Sequence, residues 1–298
     1  MIVIASAVAI VVLVGPAALA LIGLLRSRGD QPGPAAVTHR WDAALTINSA
    51  LLYTLAFNLT FFIQELFLVL PKALTPGLQP TLFHNNHSWN GENPLASLFQ
   101  GTGALATVLA ALACLALLRH ARSTPLRLFL IWMAYCGLFM ALPQVVIGAL
   151  SSGSDVGMAM DYLQLSTTAK TIAALAALAV MPMAARLLSR LVLGLADDPA
   201  RIATAGARTR FMFQVATLPV IVGTALVIPF RVPREALEVV LLPVLVALIG
   251  TAWMQAGAWR LRVQARGTGA GSDAPLLLAV IALLVVFQLV LRPGIAFY

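Results

Sequence analysis

Phe61-Phe62-Ile63-Gln64-Glu65-Leu66-Phe67-Leu68-Val69-Leu70-Pro71 closes an apolar run that begins near residue 43 and holds a single charged residue, Glu65. A helix that crosses a bilayer needs about 20 predominantly apolar residues, and a soluble core helix rarely sustains so long a run. Residues 43–70 meet that length with room to spare. Working outward, seven further stretches qualify, at roughly 2–25, 95–118, 126–150, 165–188, 211–230, 236–258 and 275–291. Gly/Pro/Ser-rich breaks separate them, among them Gly29 to Pro34, Ser123-Thr124-Pro125, Ser151 to Ser154 and Gly267 to Gly271.

The fold class expected is therefore an all-α, polytopic transmembrane helix bundle of about eight spans, one integral membrane domain over residues 1–298. The composition agrees. Apolar residues make up 60% of the chain, charged ones 10%, and the mean hydropathy is +0.93, whereas soluble domains carry about 25% charged residues. The formal charge of +8 does not point to nucleic acid, because the arginines flank apolar segments and form no aromatic-interleaved stripe.

Those arginines orient the bundle. Arg26, Arg28 and Arg40; Arg119, Arg122 and Arg127; Arg186, Arg190, Arg201, Arg208 and Arg210; and Arg260, Arg262 and Arg266 fall in the first, third, fifth and seventh loops. The alternate loops and the C-terminus hold only Lys72, Arg231, Arg234 and Arg292. Basic residues are retained on the cytoplasmic side, so both termini are expected outside, in a plasma membrane of bacterial inner-membrane type. The first stretch lacks a basic n-region and is longer than a signal's apolar core. Despite the cleavage-like Ala18-Leu19-Ala20, it reads as an uncleaved span.

This orientation gathers the unusual polar residues at the outer side. Asn58, Phe62 and Glu65, spaced i, i+4, i+7, share one helix face. Beyond Pro71 comes Phe83-His84-Asn85-Asn86-His87-Ser88-Trp89, which holds two of the four histidines. Imidazoles in an HxxH spacing can reach one metal, zinc or another transition metal, and Glu65, Glu92, Asp155 or Asp161 could complete its shell. The alternative is a polar loop anchored by interfacial Phe83 and Trp89. Gln64, Gln144 (after the helix-kinking Pro143) and Lys170 extend the polar cluster, with Lys170 free to snorkel or to pair with Asp155, Asp161 or Glu65. His39 and His120 fall in the basic loops. Cys114 and Cys136 lie in apolar helices and read as small hydrophobes. No HExxH, GxSxG or Walker motif occurs.

Three stretches resemble the site-2-protease-like (M50-type) membrane metalloproteins over roughly residues 55–165. Phe62-Ile63-Gln64-Glu65-Leu66-Phe67-Leu68 stands where that family carries His-Glu-x-x-His, Gly101-Thr102-Gly103-Ala104-Leu105-Ala106 resembles the opening of its next helix, and Gly137-Leu138-Phe139 through Gly153-Ser154-Asp155 resembles a later segment. The resemblance implies Glu65 as the base acting on a metal-bound water. Gln64 and Leu68 replace the family's two histidines, so His84 and His87 would have to supply the ligands.

Three functions are then expected, in this order. The first is a non-enzymatic binding or scaffold module that contacts membrane lipids and another membrane or extracytoplasmic protein. The second is a divergent metal-dependent hydrolase using Glu65, His84 and His87. The third is a small-solute transporter, disfavoured because the polar groups cluster on one side.

Overall fold

A computed structural model describes residues 2–27, 41–231, 236–267 and 274–298. Arg28, His39, Arg40 and Arg234 lie outside the described residues. The chain is an all-α bundle, and the described residues include seven helices long and apolar enough to cross a membrane: Ile2–Arg26, Ala43–Ala73, Leu95–Leu117, Thr124–Leu150, Thr167–Leu193, Ala205–Arg231 and Val240–Arg260. Here they are the first to seventh spans. The eighth expected span is described as a shorter apolar helix, Leu277–Leu291. It still traverses the bundle. Gly267 donates to the Ala196 carbonyl at the basic end, while Ile295–Ala296 pairs with a strand at the opposite, polar end. Helix over residues 274–291 covers roughly 27 Å at 1.5 Å per residue, close to the hydrocarbon thickness.

The helix starts follow local chemistry. Asp42, Ser123, Ser166 and Thr204 each accept an N–H of the first turn of the helix that follows, satisfying donors that have no intrahelical partner. Thr204 starts the sixth span earlier than its apolar run suggests. Ser154 caps a further helix, Asp155–Tyr162, within the stretch expected to be a loop.

Proline shapes the spans in a consistent way. Wide, π-helical turns at Ile10–Val14, Phe213–Thr217 and Phe287–Leu291 immediately precede Pro16, Pro219 and Pro293. Each proline lacks the N–H that would have met a carbonyl one turn back. Other helices take up the freed carbonyls: Trp253 Nε1 donates to Val11 O at 2.7 Å and Ser49 Oγ to Val215 O at 2.5 Å. Around Pro71 the same device operates, with Thr102 Oγ1 donating to Phe67 O at 2.5 Å. The second span runs two residues past Pro71, to Ala73, instead of ending near residue 70.

The second and fourth spans form the centre. Tyr53, Phe57, Trp132, Tyr135 and Phe139 are fully or almost fully buried, and their rings meet edge-on or tilted at 4.9–6.2 Å. Their polar atoms are satisfied: Trp132 Nε1 donates to Ser49 Oγ at 3.1 Å and Tyr135 Oη to Val246 O at 2.8 Å. Gly250 is required where Tyr135 approaches, since a Cβ there would lie 2.4 Å from the ring. The first span has the highest mean hydropathy of the seven, yet only 11% of its 18-residue apolar stretch is buried, against 67% of the corresponding stretch of the second, the least apolar. In lipid the apolar face turns outward and the polar residues seek the interior.

Candidate functional site

The chain beyond Ala73 folds into an antiparallel hairpin, β1 (Gln79–Leu82) and β2 (His87–Asn90), with Leu82 opposite His87. β3 (Ile295–Ala296) pairs on the other edge of β1. Side chains alternate along a strand. In β2 that alternation turns His87 and Trp89 toward the helices and leaves Ser88 and Asn90 exposed. The two inward rings stack with centroids 5.7 Å apart and planes 11° from parallel.

Beneath the hairpin lies a chain of buried polar groups. His87 Nδ1 is 2.8 Å from Glu65 Oε2, and His87 Nε2 is 3.0 Å from Gln100 Oε1. Lys72 Nζ donates to the same Gln100 oxygen at 3.1 Å and to Leu68 O at 2.8 Å. Trp89 lies over the ammonium, with Nζ 4.6 Å from the ring centroid. Glu65 is 4% exposed, Gln100 3% and Lys72 not at all.

The donor inventory fixes where the protons sit. An ammonium can only donate, so the Gln100 atom that faces Lys72 is the oxygen. That oxygen also faces His87 Nε2, which therefore carries a hydrogen. One proton then remains to be shared between His87 Nδ1 and Glu65 Oε2.

A second set of contacts ties the hairpin turn to the sixth span and the last helix. His84 Nε2 lies 2.8 Å from Phe230 O, Asn85 Nδ2 donates to Arg231 O at 2.5 Å, and Gln288 Nε2 reaches Phe230 O at 3.2 Å. The Arg231 guanidinium stacks over Phe61 at 4.4 Å.

Of the residues singled out in the sequence, Glu65 and His87 come together, and Gln64 meets Gln144, whose Nε2 donates to Gln64 Oε1 at 2.8 Å. The rest do not converge as a metal shell. His84 faces the Phe230 carbonyl, because the HxxH spacing falls across a hairpin turn and so sends the two rings to different helices. Asp161 pairs with Lys170 at the surface, Glu92 is exposed, and Asn58 donates back to Thr54 O in its own helix. Among the described residues, no group of three or more His, Cys, Asp or Glu side chains could hold a metal ion. Gln64 and Leu68 pack against Gly103, where a Cβ would come within 3.0 Å of both.

Sequence reasoning missed Lys72 and Gln100 as members of the network. One signal was legible: Lys72 is the only basic residue between Arg40 and Arg119. Gln100 carried none, since its role depends on the break between the helices Leu95–Phe99 and Thr102–Leu117. Trp89, expected as an interfacial anchor, is the lid over the lysine instead.

The fold and site define a class, a multi-helix bundle of membrane type with a buried ionisable network under a small hairpin cap. Comparison with protein-family models, with curated proteins and with solved structures gave no match.

Proposed function

We propose that this chain is a non-enzymatic binding module of a plasma membrane, of bacterial inner-membrane type, with its hairpin end outside and its arginine-rich end in the cytoplasm. The charge partition supports that orientation. One observation carries the function. Glu65, His87 and Lys72 are committed to one another through Gln100 and to the Leu68 carbonyl, which suits a latch that holds a cap better than an open reaction centre. Beside the latch, a cleft of 430 Å³ lies between residues 73–79 and Phe297–Tyr298. Leu74 and Tyr298, 86% and 71% exposed, flank it and offer an apolar and an aromatic anchor to another membrane or extracytoplasmic protein.

A photo-crosslinking residue at Leu74 or Tyr298 tests this in cells. The expected result is one and the same protein adduct from both positions, absent from lipid-facing Leu109 and weakened by His87→Ala. Adducts that are the same at all three positions would contradict a binding surface. The Glu65–His87 pair keeps the metal-hydrolase alternative in view, although a catalytic zinc requires three protein ligands. Near-stoichiometric metal in the purified protein, lost in the His84→Ala/His87→Ala double variant, would replace the binding reading with that one.

A further inference from the structure

A cavity of 1010 Å³ opens between the first, sixth and seventh spans, and none of its lining residues belongs to the hairpin. It exists because small residues face one another there. Ala20 lines it from the first span, Gly206 from the sixth and Ala252 from the seventh. The first span is held in place on the seventh by Trp253, which donates to Val11 O, and by Trp259, whose Nε1 donates to Leu19 O at 3.2 Å. The gap toward the sixth span stays open. From Gly206 to Thr224 its wall runs roughly 27 Å at 1.5 Å per residue.

The two ends of this groove differ in chemistry. Its depth is apolar, and the polar atoms that border it are already paired: Thr217 Oγ1 donates to Gln255 Oε1 at 2.6 Å, and Gln255 Nε2 to Thr209 O at 3.1 Å. Its mouth, at the arginine-rich end, is cationic. Arg210 lines it and is exposed, and Arg26 stacks over Trp259, another lining residue, at 5.4 Å. An indole with guanidinium groups beside it, at the end of a membrane-type helix, matches the headgroup level of a bilayer. Gly206 has nothing within 4 Å of where a Cβ would stand, so the mouth has room for a bulky group.

We infer that this groove is a binding site for an anionic phospholipid, with one acyl chain between the first and sixth spans and the phosphate-bearing headgroup at Arg210. An apolar depth alone would take any lipid. Arginine pairs with the phosphate of any phospholipid through charge-assisted hydrogen bonds, and a headgroup without a compensating ammonium adds its net negative charge to that attraction, which favours the anionic lipid at a cationic mouth.

Native mass spectrometry of the full chain, released from vesicles of equal phosphatidylglycerol and phosphatidylcholine content, tests the assignment. The wild type should retain one phosphatidylglycerol in preference to phosphatidylcholine by about tenfold, the scale of one to two arginines beside a headgroup of net negative charge. Gly206→Trp fills the mouth and should abolish that retention. Arg210→Gln leaves the volume and should bring the preference close to parity, and as a substitution at an exposed position it leaves the fold intact. Equal retention of the two lipids by the wild type, or retention unchanged in Gly206→Trp protein that elutes as the wild type does, overturns the inference.

Discussion

The two ends of the bundle hold the same kinds of group in opposite settings. At the hairpin end, Glu65, His87, Gln100 and Lys72 are sealed beneath Trp89. At the arginine-rich end, Arg201 reaches Asp197 at 2.9 Å, Asp42 at 3.6 Å and Gln214 at 3.2 Å, but the Asp197 side chain is 41% exposed. Water can replace any partner lost from the second network. It cannot readily do so in the first. Each therefore pins a segment to the helices, but only the buried one makes its segment's position depend on every member.

The largest expected effect follows from that contrast. His87→Ala removes the imidazole from a carboxylate that is 4% exposed, and breaking a buried pair in this way costs about 3–5 kcal/mol. Thermal unfolding in detergent measures it, and a loss as small as that of Asp197→Asn would break the comparison. Glu65→Gln sharpens it, because the amide can still meet His87. It should cost about 1 kcal/mol, the worth of one neutral hydrogen bond.

Between these extremes lies Ser49→Ala. Ser49 Oγ donates to the Val215 carbonyl freed by Pro219 and accepts from Trp132 Nε1, so its loss leaves two buried groups without a partner. A decrease of about 2 kcal/mol is expected by the same unfolding assay. No change would mean that the carbonyl released by proline needs no replacement donor in this bundle.

The smallest effects belong to the exposed network. Burial pushes the Asp197 carboxyl up, but the hydrogen bond and charge of Arg201 and two backbone N–H bonds outweigh it, so the group is held below the usual carboxylate range. Its contribution is present above the unfolded-state value, about 3.9, and is lost as pH falls through the lower folded value. Asp197→Asn should cost less than about 1 kcal/mol at neutral pH, and less again at high salt. At a pH below the lowered folded-state value the variant and wild type should converge in stability. A difference that persists there would assign the effect of Asp197 to something other than its charge.

Much of the architecture was legible because lipid leaves a chain few choices. Long apolar runs must be helices, and arginine placement sorts their ends. The helix Asp155–Tyr162 and the 79–90 hairpin were not foreseen. Both lie in polar connections, where periodicity is short and turn geometry decides. Glu65 and His87 stood out as ionisable residues beside apolar runs, but the HxxH spacing suggested convergence only if both rings shared a face. His84 lies in the hairpin turn and His87 opens β2, so they do not. Lys72 was read as a loop residue because Pro71 was expected to end the second span. Thr102, from the third span, lets the helix continue, and no local signal announces a partner 35 residues away.

The central claim is that the Glu65–His87–Gln100–Lys72 network fastens the hairpin to the bundle. Leu82, in β1 and 2% exposed, reports on it directly. In a Leu82→Cys protein the thiol should be protected from maleimide, with labelling located by mass. Adding His87→Ala should raise the labelling rate at residue 82 by at least tenfold while the labelling of Cys114 is unchanged. Equal protection of residue 82 with and without His87 would contradict the account, since the hairpin would then be held by its strands and turn alone.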